Sequence, residues 1–468
     1  MLTVEKIGGT SMSKFQSVIE NIIRKPEDEK FSYNRVFVVS AYAGITNLLL
    51  EDNKNNKAGI YLSFINEDET YKDKLDELNF KLTDINKKLS ELGLDVKEAD
   101  RFIKKRIEHT KKYLDSMEEI LSSGYIKEEN IYSAAREILA SLGEAHSAYN
   151  SHIILSNMGI NTQFIDLTGF YDRKQLTIEE RIEQAFADID LYNNIVIAPG
   201  YTKDKGGMVT QYGRGYSEIT FSKIATFLNA DEAIIHKEHH LSSADPEIVG
   251  SQKAIPVGRT NYDVADQLAD IGMEAIHPKA SKPLEMAGIK LIVKNTFEPD
   301  HPGTIITKDY VVDKSKIEII AGSDKLVVIE VHDTSMVGEV GFDYEIMRIL
   351  KKFNISYVMK ATNANSISQV IWEKDLSDQL VEELKNKYKK IKIKEVAMVC
   401  LIGSNISQPN ILAKAAMVLG ENEININCVS ISLSQVNIQF VVDRENYKKS
   451  IKLLNDNLMF EQEIKGGE

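Results

Sequence analysis

Cysteine is scarce in this chain. Cys400 and Cys428 are the only two in 468 residues, which excludes a disulfide-stapled scaffold and points to reduced, buried thiols in a cytoplasmic protein. Long apolar runs are missing too. No stretch approaches the roughly 18 residues that a membrane-spanning helix needs. The first twenty residues carry Glu5, Lys6, Lys14 and Glu20, where a signal peptide would need an apolar core. Nor is there an excess of positive charge: 57 Lys and Arg stand against 70 Asp and Glu, a formal net charge of −13. That balance argues against a nucleic-acid surface. It also requires that any anionic ligand be met by a local cluster of cations. What is present is an ordinary globular composition, 43% hydrophobic, at a length suited to two or three domains.

The most informative stretch is Lys6-Ile7-Gly8-Gly9-Thr10-Ser11, placed after a short apolar start and before a helix expected near Ser13. Glycines let backbone N–H groups close on phosphate oxygens, a helix N-terminus adds partial positive charge and the lysine adds a full one. A Gly-Gly turn alone also serves merely to link elements. Further along, Val36–Ser40 reads as a buried parallel strand leading into Ala41-Tyr42-Ala43-Gly44-Ile45-Thr46-Asn47. Ile195–Tyr201 repeats the strand-then-glycine pattern, and Gly213-Arg214-Gly215-Tyr216-Ser217-Glu218 opens a helix expected to run through Ala230.

Taken in this order, these segments resemble the aspartate kinase family, whose patterns are Lys-Phe-Gly-Gly-Thr-Ser, Ser-Ala-x-Ala-Gly-x-Thr-Asn and Gly-Arg-Gly-Gly-Ser-Asp. The resemblance spans essentially the whole chain. It implies an α/β amino-acid kinase fold over residues 1–310, a parallel-rich sheet with helices on both faces, matching the strand–helix alternation of that region. Within it, 51–123 breaks the alternation. Leu75, Leu78, Leu82, Ile85, Leu89 and Leu92 recur at spacings of three and four, and Ile103, Ile107, Leu114, Met117 and Leu121 continue a looser helical face. These predict an inserted helical hairpin, which either packs on itself and the domain or serves as a lid or subunit contact.

Beyond Tyr310 the chain repeats itself about 71 residues apart. Strand Leu326–Val331, helix Gly341–Phe353 and strands Ile355–Met359 and Ile367–Ile371 are echoed by Val396–Ile402, a helix from Asn410, and strands near 426–432 and 436–442. Both copies resemble ACT domains, βαββαβ modules that bind amino acids, with expected bounds of 316–390 and 394–468. Exposed strand edges are templates for pairing, so a homodimer or a dimer of dimers through these modules is expected.

The resemblance implies ATP-dependent phosphorylation of the L-aspartate side-chain carboxylate, the first step toward lysine, threonine and methionine, with Mg²⁺ carried by ATP. It assigns Lys6 and Glu218 to catalysis with Arg214, and Ser40, Thr46, Glu144, Tyr201, Arg214 and Ser217 to aspartate. Arg214 grips a carboxylate through two parallel hydrogen bonds, and Glu144 receives the ammonium. Around ATP it implies Lys6, Gly8, Gly9, Ser11, His236, Lys237 and Ser242; for an amino-acid effector, Met336, Gly341, Phe342 and Thr362. The nucleophilic carboxylate is already ionised at neutral pH, so no general base is needed and catalysis reduces to alignment and charge neutralisation.

The chain also departs from the family. His236-Lys237-Glu238-His239-His240 replaces a Thr-Asp-Val-Asp-Gly run, Leu241–Glu247 replaces the approach to Asp-Pro-Arg, and Met273–Pro278 carries Glu274 where some relatives have a nucleotide-contacting lysine. The histidines with Glu238 also raise a metal site, but no partners at matching spacing support one. Ile7, Tyr216 and the Leu241–Pro246 run further suggest a divergent branch, resembling aspartate kinases encoded beside ectoine-synthesis genes and some clostridial ones. Val358 stands where lysine-inhibited relatives have a carboxylate, with Asp343 or Glu339 as substitutes. A glutamate 5-kinase is disfavoured by the tandem repeat and by Gly213–Glu218. A non-catalytic amino-acid sensor remains the alternative.

Overall fold

A computed structural model of the chain describes residues 1–24, 33–52, 57–271, 276–406, 409–431, 433 and 436–459. Two compact units emerge, one made of 1–240 and 277–307 and the other of 241–276 and 308–468. The segment 241–276, read above as part of the first domain, thus packs with the C-terminal residues.

The first unit is built on strands β1 (Thr3–Ile7), β2 (Arg35–Val39), β3 (Thr162–Phe164), β4 (Ile195–Pro199), β5 (Glu232–Lys237), β6 (Lys290–Asn295) and β7 (Thr304–Thr307). Their order is β3-β4-β2-β1-β5-β6-β7, parallel throughout except for β7 against β6. β2 and β4 are buried along their whole length, as continuous β-branched runs in a covered parallel sheet should be. Ile7 lies beside both Val39 and His236, and Val39 beside Pro199. The segments following these strands therefore emerge along one edge of the sheet, where open α/β sheets bind ligands.

The inserted hairpin forms as α1 (Thr70–Leu89) and α2 (Val96–Ser123), preceded by a helix Ile60–Ile65 and a ribbon pairing Glu51–Asp52 with Lys57–Ala58. Leu75, Leu78 and Leu82 are buried, while Ile85, Leu89 and Leu92 are only half-covered. Asp95 caps α2 by accepting from the Glu98 amide at 3.1 Å. The hairpin docks onto its own domain through polar anchors. Buried Asn86 donates to Asp100 at 2.8 Å, and its Oδ1 meets His146 at 2.6 Å and Asn150 at 2.8 Å. Asn150 reaches the Tyr42 hydroxyl at 3.3 Å, and buried Arg106 binds Thr168 and Asp166.

α3 (Glu128–Asn157) crosses the core. Its residues 139–148 are buried on every side, and Gly143 is what permits this: a Cβ there would lie 2.8 Å from that of Ala41. Two shorter helices complete the part of the unit that matters below, α4 (Tyr216–Phe227) and α5 (Pro278–Ala287).

In the second unit a single antiparallel sheet joins β8 (Ile319–His332), β9 (Met359–Thr362), β10 (Ser366–Trp372), β11 (Lys390–Ile402), β12 (Ile426–Ile431) and β13 (Asn437–Asp443), in the order β9-β10-β8-β11-β13-β12. The two βαββαβ modules are not consecutive, as 316–390 and 394–468 had implied. Ile319–Ser323 pair with Ile402–Met398, whereas Leu326–His332 pair with Val396–Lys390 and with β10. One strand of the second copy thus precedes the whole first copy. Helices α6 (Phe342–Lys352) and α7 (Asp378–Lys387) cover the first copy, and α8 (Asn410–Glu421) and α9 (Tyr447–Leu454) the second. Val257, Val264, Leu268 and Ile271 pack against Ile319, Met398 and Cys400. The strand expected at Ile355–Met359 begins only at Met359, after Asn354 takes a left-handed φ of 56°.

Beneath the first sheet lies a buried ion cluster. Glu5 accepts from Arg35 Nε at 2.7 Å and Thr3 Oγ1 at 2.8 Å, while its other oxygen meets His236 Nε2 at 2.7 Å. Burial alone would raise the Glu5 carboxyl; the Arg35 charge and the His236 hydrogen bond outweigh it and hold the group far below the usual range. A depressed folded-state pKa stabilises above the unfolded value of about 4.3, and that contribution is lost as pH falls below it. Arg35→Met strands the buried carboxylate and is expected to cost about 3–5 kcal/mol. Urea unfolding followed by hydrogen exchange in β1 and β2 would register this; an unchanged midpoint would refute the cluster's role.

Candidate active site

At the β1 exit the chain turns at once into a helical turn, Gly9–Met12, earlier than the start near Ser13 read from the sequence. The Gly8 amide donates to the His236 carbonyl at 3.2 Å, tying the turn to β5. A Cβ on Gly9 would sit 2.7 Å from the Ala41 carbonyl oxygen, so only glycine lets the turn lie against the loop after β2. Ser11 lies beneath, its Oγ 2.8 Å from Thr296 Oγ1. This leaves a backbone cradle with Lys6 beside it.

Lys6 is held rather than loose. Its Nζ is 3.2 Å from Glu218 Oε1 on α4, and Glu218 Oε2 accepts from the His277 amide at 2.5 Å. Burial pushes the Glu218 carboxyl up, but Lys6, Lys237 and that amide more than reverse the effect and keep it below its ordinary value. Gly215 is fixed by the same arrangement, because a Cβ there would meet the His277 ring at 2.3 Å.

Glu144, on the buried stretch of α3, accepts from Ser217 Oγ at 2.6 Å. Among the described residues its Oε2 has no hydrogen-bond partner, and it faces Gly200, whose Cβ would come within 3.0 Å of it. Burial pushes this carboxyl up to about 8, against the pull of Ser217, Lys6 and the Ala41 and Tyr201 amides. Lys6 therefore acts on both Glu218 and Glu144. Ser40 and Thr46 lie in the loop and short helix after β2, and the Ser40 carbonyl accepts from Ser147 of α3 at 2.8 Å.

Arg214 projects from the turn before α4. Nη1 donates to Asn47 at 2.8 Å, Nη2 donates to the Glu51 carbonyl, and Glu51 Oε1 lies 3.6 Å away. Arg136 of α3 also holds Glu51, at 2.9 Å. Tyr201 is buried and edge-on to Tyr216, with its hydroxyl donating to Glu137 at 2.8 Å.

Not every expected residue joins this group. His236, assigned above to nucleotide, is turned into the Glu5 cluster. Adjacent strand residues point to opposite faces, so Glu5 and its partner His236 lie across the sheet from Lys6. His240 instead contacts Glu298 at 3.0 Å, with the His301 ring tilted against it. Ser242 belongs to the second unit, bridged to Pro256. The Met273–Ala275 segment lies outside the described residues.

Among the effector positions, Met336 and Phe342 pack on the first module's core, Gly341 takes a left-handed φ of 102° before α6, and Thr362 ends β9. Val358 is half-buried among apolar neighbours, and Asp343 pairs with Lys360 at 2.8 Å.

Sequence reasoning missed Glu137 and Glu51. Glu137 accepts from the amides of Met208, Val209 and Thr210, at 2.9, 3.2 and 2.9 Å, and from the Thr210 and Tyr201 hydroxyls. It pins the segment that leads into Arg214. Its spacing of seven from Glu144, two helical turns on one face, was the available signal.

The amino acid kinase family profile matches residues 1–295, and an ACT domain profile matches 399–458. The chain is 41% identical to the aspartate kinase Ask_Ect of Stutzerimonas stutzeri (strain A1501) across 460 residues, 97% of either chain. It is 28% identical to the chloroplastic aspartokinase 1 of Arabidopsis thaliana, over 73% of this chain and 64% of that protein. In fold it is similar to E. coli aspartokinase III solved with aspartate and ADP, with a TM-score of 0.74 at 21% identity, covering 98% of this chain and 100% of the other. The aspartate kinase of Clostridium acetobutylicum gives 0.68 at 24%, covering 97% and 99%.

Glu137→Ala removes the acceptor for three consecutive amides. Exchange at Met208, Val209 and Thr210 is expected to quicken by on the order of tenfold or more, since each bond is worth about 1 kcal/mol or more. Unchanged protection would show that the segment is held by other means.

Proposed function

The chain belongs to the amino acid kinase family and, within it, to the aspartate kinases; from that premise we propose that it phosphorylates the side-chain carboxylate of L-aspartate with ATP, through the residues around Lys6. The observation that carries the assignment of the site is the shared reach of Lys6. It is paired to Glu218 on one side and felt by the buried, half-satisfied Glu144 on the other. A cation so placed meets both the nucleotide phosphates and the amino-acid substrate.

In this reading the Gly8–Ser11 turn holds the phosphates, a fit supported by the Gly9 cradle. Arg214 takes the aspartate α-carboxylate, with Ser217 beside it, and Glu144 Oε2 takes the ammonium. Ser40, Thr46 and Tyr201 wall the substrate. The side-chain carboxylate oxygen then bonds to the γ-phosphorus as the bond to the β–γ bridging oxygen breaks, giving 4-phospho-L-aspartate and ADP. Lys6 neutralises charge that spreads over the phosphoryl oxygens, and Glu218 keeps it aimed. Mg²⁺ bound with the nucleotide would supply further neutralisation at the phosphates. Lys237 adds a nearby positive charge.

The product feeds synthesis of aspartate-derived amino acids, and the two C-terminal modules subject the rate to amino-acid control. Pairing through those modules would make the enzyme a homodimer, or a dimer of dimers. Among the described residues no helix is long and apolar enough to cross a membrane; we place the enzyme in the cytoplasm because its two cysteines, Cys400 and Cys428, form no disulfide.

Trapping the acyl phosphate as its hydroxamate tests the assignment. Wild type is expected to form it with ATP and Mg²⁺, and Lys6→Ala to lose several orders of magnitude in kcat. No product from wild type that still binds aspartate would leave the amino-acid sensor standing.

A second outcome follows from Glu144. With its pKa raised to about 8, the carboxyl is largely protonated at pH 7 and must ionise to receive an ammonium. KM for aspartate should therefore fall roughly tenfold per unit as pH rises toward 8, then level off. Glu144→Gln should flatten that slope; a pH-independent KM in wild type would remove Glu144 from ammonium binding.

A further inference from the structure

One large buried side chain at the site takes no part in the phosphoryl transfer described above. Tyr216 opens α4, two residues after Arg214 and one before Ser217, and is 2% exposed. Where the pattern Gly-Arg-Gly-Gly-Ser-Asp has only a hydrogen atom, this chain has a phenol. Burial and the Glu144 charge push that phenol well above its ordinary pKa, against the pull of Arg214 and Thr46, so it stays neutral. Three of the residues that act on it, Glu144, Arg214 and Thr46, are those assigned to aspartate.

Consecutive residues in the first turn of α4 face successive parts of the site. Glu218 meets Lys6 at 3.2 Å, at the phosphate end. Ser217 donates to Glu144 at 2.6 Å, where the amino-acid head group is received. Tyr216 meets the Tyr201 ring edge-on, with centroids 5.7 Å apart. That second ring is firmly held. Tyr201 is itself buried, and its hydroxyl donates to Glu137 at 2.8 Å, which accepts from three backbone amides in turn. The exit of β4 has no slack either, because a Cβ on Gly200 would lie 2.7 Å from that of Ser217. A close-packed wall of two rings does not open for one more methylene without strain.

We propose that Tyr216 is a specificity-determining residue, whose ring, backed by Tyr201, sets the length of amino diacid that the site accepts. With its side-chain carboxylate held at the γ-phosphate beside Lys6, an acid one methylene longer than aspartate must carry its head group deeper, past Glu144 and Arg214. The two rings close that depth. Aspartate fits, and glutamate is turned away. Discrimination of one methylene by a rigid wall is worth about 10–200-fold. The role of the ring rests on the placement of aspartate proposed above, which supplies the two ends of the site.

Calorimetry on the full chain, with a non-hydrolysable ATP analogue occupying the phosphate end, tests this through the Kd values of aspartate and glutamate. Wild type is expected to favour aspartate tenfold or more. Tyr216→Gly should bring the two within about threefold of each other, chiefly by tightening glutamate, a gain that mere damage to the fold does not produce. Tyr216→Phe keeps the ring and should keep the preference. Should the glycine variant fail to fold, Tyr216→Leu is expected to move the ratio the same way by threefold or more. The proposal is overturned if the shortened variants keep the wild-type ratio, if they lower it only by weakening aspartate, or if Tyr216→Phe loses it as fully as glycine does. Hydroxamate formation separates the two readings. A wild type that phosphorylates aspartate, with a preference indifferent to Tyr216, overturns the role of the ring alone; a wild type that binds neither acid overturns both.

Discussion

Charge is the constraint on which the first unit's architecture depends. Aspartate phosphorylation brings two anions together, and this chain is itself strongly anionic. Every cation at the site must therefore be local, and each one with a resolved partner is tethered by a carboxylate or amide of the protein. Lys6 is held by Glu218, and Arg214 by Glu51 and Asn47, with Arg136 holding Glu51 in turn. Tethering has an energetic logic. A pre-aimed cation loses little reorganisation energy when charge develops on the phosphoryl group, whereas a free lysine would have to be ordered at that moment. The carboxylates that do the tethering must stay ionised, and the depressed pKa of Glu218 is the sign that its surroundings ensure this.

The sheet keeps its two charge systems apart by the simplest device available, the alternation of side chains along a strand. Glu5 and Lys6 are adjacent in β1 yet serve different ends. Glu5 binds Arg35 and His236 in a buried structural cluster, while Lys6 reaches Glu218 on the other face. Buried ion pairs contribute little net stability but are expensive to break. The cluster therefore acts as a registry pin between β1, β2 and β5, the three strands whose ends carry the Gly8–Ser11 turn, the loop from Ser40 and Lys237.

This alternation also explains where the sequence was legible and where it was not. Lys6, Gly8, Gly9, Arg214, Ser217 and Glu218 sit in short local motifs at strand ends and helix starts, where residue type and chain geometry are tied together within a few positions. His236 belongs to a divergent run, and only its pairing with Glu5 tells which face it takes. Glu137, Glu51 and Asn86 read in sequence as ordinary surface polar residues; their importance comes from partners scores of residues away. The nesting of one module within the other was hidden for the same reason. Ile319–Ser323 find their partners nearly eighty positions later, and a repeat offset reveals similarity of copies without revealing which copy owns a strand.

The inserted hairpin shows how a long addition becomes part of the machinery around a site. Its leucine stripe explains why α1 and α2 pair, but a greasy seam alone permits sliding. Asn86 removes that freedom: its amide engages α2 through Asp100 and α3 through His146 and Asn150 at once. A buried amide is costly unless satisfied, so only one register of α1 against α3 is acceptable. Burial holds the His146 imidazole down to about 3, against the pull of Asp100, which keeps the His146 ring neutral across the physiological range. The same α3 carries Glu144, and Asn150 reaches Tyr42 in the loop that supplies Ser40 and Thr46. Through that junction the position of the hairpin and the position of the loop that carries Ser40 and Thr46 are set by one shared group of side chains, so the insertion is mechanically continuous with that loop rather than an ornament on the domain.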